Sequence, residues 1–210
     1  MDITVIIPFN KDRGYLKQAI KSAEDQTFSG DVQVLAWRGD DPVSVNINKA
    51  LECSDGKYIK ICAEDDILYP NCLEDLHRAI EYKDFVCANA HDWVESQDKT
   101  TEFHSTIPFD VRALARLNTI HGLTVMYRKE SLDLIKEIYG FVFDESLTCA
   151  EEYDLHLRML EQGMKLAKCD KFVAKYRIHD DQKSLGKNVH KGQRIKDRFD
   201  EKMRIKNKYL

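Results

Sequence analysis

The chain has 210 residues, a formal net charge of −4, and 43% hydrophobic and 10% aromatic residues. That content is enough for a full core and excludes a mainly disordered chain, while the acidic balance argues against a nucleic-acid partner. With no apolar run of membrane-spanning length and no signal peptide visible, no transmembrane segment is expected, and the chain reads as soluble and cytoplasmic. Six cysteines (Cys53, Cys62, Cys72, Cys87, Cys149 and Cys169) form no C-x-x-C pair and read as reduced core thiols, not a disulfide framework.

Ile3 to Phe9 is a continuous apolar, β-branched run, the pattern of a strand buried on both faces. Leu16, Ala19, Ile20 and Ala23 then recur at helical spacing, and Val32 to Trp37 reads as a second strand. Val43, Ile47, Ala50 and Leu51 mark a second helix, and Tyr58 to Cys62 a third strand after a turn at Asp55-Gly56. Strand, helix, strand, helix, strand over the first 62 residues implies a parallel α/β sheet. Ligands of such sheets bind at the carboxyl ends of the strands, here Pro8-Phe9-Asn10, Trp37 to Asp40 and Ala63 to Asp66, which should converge on one crevice. There is no G-x-G-x-x-G after the first strand and no G-x-x-x-x-G-K-[ST], so neither a dinucleotide site nor a P-loop is expected.

Further on, a helix is expected over Cys72–Tyr82 and a strand over Phe85–Ala90, which Asp92–Glu95 either extends or pairs with. Ser96–Ser105 is polar and reads as a loop. A short helix over Phe109–Leu117, a strand over Leu123–Tyr127 and a helix over Ser131–Ile138 follow. Ala150–Gln162 is an amphipathic helix with Glu151, Glu152 and Asp154 in its first turn, a bias that helix N-termini favour in any case. Lys165–Cys169 and Phe172–Tyr176 read as two closing strands. From Lys187 to Leu210 the chain carries a charge of +6, leaving −10 for the rest. Ile195, Phe199, Met203 and Tyr209 there suggest a helix that packs back on the domain, links to a further domain, or meets anionic lipid.

Glu64, Asp65 and Asp66 are three adjacent acids at the end of a buried strand. Their mutual repulsion raises their pKa values unless a positive group sits among them, and a divalent cation is a partner that suits carboxylate oxygens. A solvated acidic loop is the alternative.

Several motifs, in order, resemble those of family 2 glycosyltransferases with the GT-A fold. VIIPFN (Val5–Asn10) resembles the family's opening strand; Leu16, Ile20, Ser22 and Gln26-Thr27-Phe28 its first helix; and Asn48-Lys49-Ala50 with Asp55-Gly56-Lys57-Tyr58-Ile59 its next segment. The three acids fall on its D-x-D position. Gly122–Arg128 resembles the acceptor-side strand, Ala150-Glu151-Glu152-Tyr153-Asp154-Leu155 with Arg158 resembles A-E-D-Y-D-L, and Tyr176-Arg177-Ile178-His179 with Gln182 and Ser184 resembles Y-R-I-H-x-x-Q-x-S. The resemblance covers roughly residues 3 to 185.

It implies a GT-A domain over 1–186, with a nucleotide-sugar half (1–95) and a smaller acceptor half (96–186), followed by a basic helix or linker (187–210). It implies metal-dependent, inverting transfer from a nucleotide-diphosphate sugar, UDP first, to a glycan or glycoprotein hydroxyl. Asp65 is then the metal-coordinating acid. Asp66 and Glu64 bind metal, its waters or the ribose, and His179 completes the shell of a Mn²⁺ or Mg²⁺. Pro8, Phe9 and Asn10 lie against base and ribose, and Asn48 joins the nucleotide-sugar contacts. Glu152, or else Glu151, is the general base, and Asp154 structures its helix turn or binds acceptor hydroxyls. Two departures stand out. Ala63 replaces the first acid of the D-x-D segment, and Trp37-Arg38-Gly39-Asp40-Asp41 replaces the loop that reads uracil. Arg38 cannot accept from uracil N3–H, though it can donate to the uracil carbonyls or stack on the ring, and Asp40 or Asp41 could take the acceptor role. These departures keep open a catalytically inactive nucleotide-sugar-binding module of a larger protein. A nucleotidyltransferase is a weaker alternative, because Lys11-Asp12-Arg13-Gly14 is a poor version of its basic, Gly-rich loop.

Overall fold

The structure, a computed structural model, describes residues 1–179 and 191–210; for 191–198 only the backbone is described. Asp180 and Asp181, Gln182 and Ser184 of the closing motif, the 186/187 boundary and the side chain of Ile195 lie outside the described residues.

The opening unit matches its sequence pattern. Strand β1 (Ile3–Phe9) pairs in parallel with β2 (Val32–Arg38) on one side and β3 (Tyr58–Ile61) on the other. Helices α1 (Leu16–Glu24) and α2 (Val43–Glu52) make the two crossovers. The β1 run is continuously apolar because both faces are covered. Ile3, Val5 and Ile7 pack toward α1 and α3 (Cys72–Ile80), whereas Ile6 packs toward α2 with Ile47 and Ala50. The two clusters are the two sides of one sheet, and burying both is what a βαβ unit requires.

After β3 the sheet becomes mixed. The short β4 (Ile67–Leu68) runs antiparallel to β8 (Leu166–Ile178), and β5 (Phe85–Val94) is parallel to β8. Strand β7 (Met126–Arg128) joins β3 to β5, antiparallel to both, so the order across the sheet is β2-β1-β3-β7-β5-β8-β4.

Three expectations are corrected. The polar stretch 96–105 is not simply a loop: β6 (Lys99–Phe103) pairs antiparallel with the end of β5, which runs on to Val94. An exposed edge hairpin can be polar, which hides it from hydropathy. The two closing strands are one strand, β8, whose register against β5 shifts near Asn89. There Asn89 donates to the Asp170 carbonyl at 3.0 Å and accepts from Lys168 at 2.8 Å, so the irregularity keeps its hydrogen bonds. The strand expected over Leu123–Tyr127 begins as a 3₁₀ turn, Gly122–Thr124, before β7.

On the second face lie α4 (Val111–Arg116), α5 (Lys129–Tyr139), α6 (Glu151–Glu161) and α7 (Lys191–Asn207). Gly140 closes α5 at φ 84°, a conformation its missing Cβ allows. The C-terminal segment docks on the domain, with Tyr209 packed against the core as expected; Phe199 is exposed, and Ile205, fully buried, is the main apolar contact of α7. Four of the six cysteines are buried and all six are free thiols. Among the described residues, no helix is long and apolar enough to cross a membrane.

Gly56 sits where the chain enters β3, and its N–H donates to Thr4 Oγ1 at 2.9 Å. A Cβ there would collide with the backbone of Ile3 and Thr4, which cannot move without disturbing β1. Gly56→Ala should therefore cost about 1–3 kcal/mol in denaturant unfolding; an unchanged midpoint would show that the strand can shift freely.

Candidate active site

The acidic turn after β3 is fixed by one residue of β8. The backbone N–H of Arg177 donates to Asp66 Oδ1 at 2.9 Å, and its guanidinium Nε donates to the Asp65 carbonyl at 2.7 Å. The same guanidinium bonds Glu95 at the end of β5 and Gln18 on α1, with its centre 4.4 Å from the Tyr15 ring and 4.6 Å from the Trp93 ring. Arg177 is 2% exposed, so these contacts replace its hydration.

Each of the three acids acquires a different protein partner. Glu64 forms an ion pair with Arg13 of the loop after β1; burial raises its carboxyl above the ordinary value against the lowering pull of Arg13. Asp65 Oδ2 lies 3.0 Å from His179 Nε2, with the His179 ring tilted against Tyr15. Asp66 is turned inward and 2% exposed. Burial, then the charge of Asp65, pushes its carboxyl well above the usual range. The turn thus presents one acid, Asp65, beside one imidazole.

Asp65 faces a cleft of about 480 Å³ whose lining also takes in Pro8, Ala63, Glu151 and Glu152, with the largely buried Asp66 at its floor. The expected convergence is therefore met by β1 and β3, with the N-terminus of α6 as the opposite wall. Glu151 is 4% exposed, while Glu152 is the more accessible. Gly122 lies against the Glu152 side chain: a Cβ there would sit 3.4 Å from Glu152 Cβ, Cγ and Cδ. Sequence reasoning missed several wall residues. Asp92 comes from β5 and His121 from the turn before Gly122, with His121 Nε2 3.3 Å from Asp92 Oδ1. Tyr176 of β8, His156 of α6 and Lys202 of α7 also reach the cleft. Of these, Asp92 had the most readable signal, an acid within a mostly buried strand. Lys60, on β3, is fully buried, and its ammonium donates to the Ile61 carbonyl at 2.7 Å and to the Leu123 carbonyl, tying the 122–124 turn to β3.

The other expected site residues lie elsewhere. Phe9 accepts from the Gly39 N–H at 3.0 Å, closing the ends of β1 and β2, with Asn10, Arg38 and Asp40 exposed around that junction. The bend there depends on Asn46, whose amide donates to the Gly39 and Asp41 carbonyls at 3.2 and 2.9 Å. Asn48 departs from a nucleotide role: its side chain brackets the Phe143 backbone, donating to O at 2.8 Å and accepting from N at 3.0 Å. Asp154 is 1% exposed and paired with Arg158 Nε at 2.7 Å, so it does not reach acceptor hydroxyls. This corrects the acceptor-contact alternative in favour of the structural one: one helical turn separates the pair, and Arg158 extends to the Val142 carbonyl.

Asp65 with His179 fits a divalent cation of borderline hardness, one carboxylate beside one imidazole with room for phosphate oxygens and water. Asp66 is held by Arg177 and Glu64 by Arg13, so the three acids do not form a cage. Among the described residues, no group of three or more His, Cys, Asp or Glu side chains is arranged to hold a metal ion.

A βαβαβ unit with an acidic turn after its third strand, facing a carboxylate-bearing helix across one cleft, defines the GT-A fold. The sequence profile of Glycosyl transferase family 2 matches residues 3–134, and the chain belongs to that family. An uncharacterized glycosyltransferase of Rickettsia typhi is 23% identical over 212 residues, covering 86% of this chain and 65% of the relative. One of Rickettsia conorii is 20% identical, covering 87% of this chain and 35% of the relative. The chain thus spans under two thirds of these relatives. Among solved structures, S. aureus TarS 1–349 in complex with UDP superposes with a TM-score of 0.65 at 17% identity, covering 100% of this chain and 65% of that one. The same protein in complex with UDP-GlcNAc gives 0.61 at 18% identity, covering 87% and 60%.

His156, whose Nε2 is 2.8 Å from the Tyr127 hydroxyl, is wholly buried. Burial, helped by the charge of Arg158, lowers its pKa from 6.5 to about 3. The folded state then binds fewer protons than the unfolded state between those values. The stability tied to neutral His156 is therefore present above pH 6.5 and lost as the pH falls toward 3. Unfolding free energy should fall by about 1 kcal/mol per pH unit through this window, and His156→Gln should flatten that limb; equal slopes for the two proteins would assign it to other groups.

Proposed function

We propose that this chain transfers a sugar from a UDP-sugar to a hydroxyl of a glycan or glycoprotein, with inversion at the anomeric carbon. The observation that carries this reading is the single cleft bordered by Asp65 on the strand-end side and by Glu151 and Glu152 on the other. Family membership and the fold shared with a protein solved with UDP and UDP-GlcNAc support the donor class.

In this reading Glu152 is the base. It is the more accessible of the two helix carboxylates and lies beside Gly122, where the missing side chain leaves room. Its carboxylate takes the proton of the acceptor hydroxyl as the acceptor oxygen bonds to the anomeric carbon. The bond from that carbon to the β-phosphate oxygen breaks on the opposite face, and its electron pair leaves with UDP. Asp65 and His179 are the residues that would hold a Mn²⁺ or Mg²⁺ ion, which when bound neutralises charge on the diphosphate as a Lewis acid. Pro8 borders the donor end, and Arg38 and Asp40, exposed at the junction of β1 and β2, are the residues of this chain in place of the base-reading loop of the family.

A module that binds nucleotide sugar without turnover is favoured by Ala63 and by the Trp37–Asp41 replacement. One experiment separates the two. Purified protein with Mn²⁺ and a panel of UDP-sugars should release UDP. Asp65→Ala should lower that rate by about a hundredfold, and Glu152→Gln should lower transfer by roughly 10²–10⁴-fold while leaving UDP affinity near wild type. Donor binding with no turnover under any metal or acceptor would leave only the binding module, and full activity in Glu152→Gln would move the base elsewhere.

A further inference from the structure

Asp92 and His121 form a pair on the cleft wall that the proposed transfer does not use. Asp92 stands near the end of β5, directly opposite Thr101 of β6 and Tyr176 of β8. His121 precedes Gly122, the residue that lies against Glu152, so the pair adjoins the wall that carries the proposed base. His121 Nε2 is 3.3 Å from Asp92 Oδ1. A carboxylate only accepts, so Nε2 carries the proton and donates.

His121 is held from several directions. Its backbone N–H donates to Ser105 Oγ at 3.2 Å, and its carbonyl accepts from the Thr124 N–H at 2.9 Å and the Thr124 hydroxyl at 2.8 Å. Its ring packs edge-on against Phe103 and Tyr176, with centroids 5.0 and 5.2 Å apart. The second ring nitrogen, Nδ1, is buried and has no hydrogen-bond partner among the described residues. The imidazole therefore directs its one side-chain hydrogen bond at Asp92. Asp92 uses one oxygen for that bond. Its side chain keeps 28% exposure, against 13% for His121, which leaves acceptor capacity open to the cleft that it lines.

The surface around that carboxylate selects a ligand class. Phe103, Ile120 and Tyr176 also line the cleft, so Asp92 is set among aromatic and aliphatic side chains. A sugar ring suits such a wall: its hydroxyls donate charge-assisted hydrogen bonds to the carboxylate, and its C–H faces cover the apolar surface. An anion would be repelled by Asp92, and a wholly apolar group would leave the carboxylate desolvated and unpaired.

We infer that Asp92 is a specificity-determining residue that accepts a hydrogen bond from a hydroxyl of a pyranose ring in the cleft, and that His121 is the positioning residue that aims it. This inference rests on the proposed transferase reading. The ring has two possible sources, the donor sugar and the acceptor, which present the same chemistry to Asp92.

The test compares wild type, Asp92→Ala, Asp92→Asn, His121→Ala and His121→Gln as full chains, with thermal melts confirming that each folds. Calorimetric titrations with Mn²⁺ compare UDP with a panel of UDP-sugars and their single-deoxy analogues. Methyl pyranosides and their deoxy analogues are then titrated into the UDP-loaded protein. In wild type one deoxy analogue should bind about tenfold more weakly than its parent, and Asp92→Ala should lose that discrimination. Asp92→Asn, which keeps the shape without the charge, gives the same reading should Asp92→Ala not fold. His121→Ala should reduce the discrimination in part, and His121→Gln, whose amide can still donate to Asp92, should restore it. General damage to the fold would weaken parent and analogue alike. Discrimination among the UDP-sugars assigns the ring to the donor, and discrimination among the pyranosides assigns it to the acceptor. If wild type binds UDP-sugar but discriminates against no deoxy analogue, or if the Asp92 variants keep its discrimination within about twofold, this inference fails while the transferase reading stands. If wild type neither binds UDP nor turns over any donor, both fail.

Discussion

Arg177 is the constraint on which the site depends. A guanidinium taken out of water must keep its donors satisfied, and here they reach a carboxylate, a main-chain carbonyl and a side-chain amide on three separate parts of the chain. Two aromatic rings cover it. Gln18 and Tyr15 belong to the start of the fold, the acidic turn follows β3, and Glu95 opens the turn just after β5. Removing one partner of such a buried charge is costly because the remainder stays buried and unpaired. Arg177 therefore fixes where Asp65 points, and His179, two residues further along the same strand end, arrives beside it.

The clamp changes the meaning of the acidic cluster. Three neighbouring carboxylates invite the idea of one shared counter-ion. The fold instead separates them: Arg13 meets Glu64, His179 meets Asp65, and the Arg177 backbone meets Asp66. Desolvation still weighs on the buried member, so Asp66 resists ionisation while Asp65 remains on the cleft. The opposite wall is assembled from elements remote in sequence. The acidic start of α6, the Gly122 turn held to β3 by the buried Lys60, and α7 fastened through Glu201 together set the side of the cleft opposite Asp65. The two walls differ in origin, one a βαβαβ unit and the other a group of helices and turns packed on the mixed half of the sheet.

Much of the fold was legible because its signals are local. The β-branched run of β1, the helical spacing of Leu16, Ala19, Ile20 and Ala23, and the glycine after α5 each follow from backbone sterics or two-sided burial. The hairpin strand Lys99–Phe103 was hidden because an edge strand needs no apolar face, and the continuity of β8 because a register shift at Asn89 resembles a break between two strands. Within the site, Asp65, Glu151 and Glu152 could be proposed from the motif order. Asn48 and Asp154 could not be assigned in the same way, since a polar residue in a motif can serve the ligand or the scaffold, and both have their hydrogen bonds within the scaffold.

The sequence by itself determined the parallel opening unit, the position of the acidic turn at a strand end, and the amphipathic helix that begins with Glu151 and Glu152. These are properties of near neighbours in the chain, set by side-chain period and by which residues end strands and helices. The tertiary structure alone decided which acid faces the cleft, that Arg177 is a clamp, that His121 pairs with Asp92, and that the basic C-terminal helix brings Lys202 to the wall. Each of those depends on the partner a buried charge or amide finds across tens of residues. Such partners are selected by the cost of leaving a polar group desolvated, which no local pattern records.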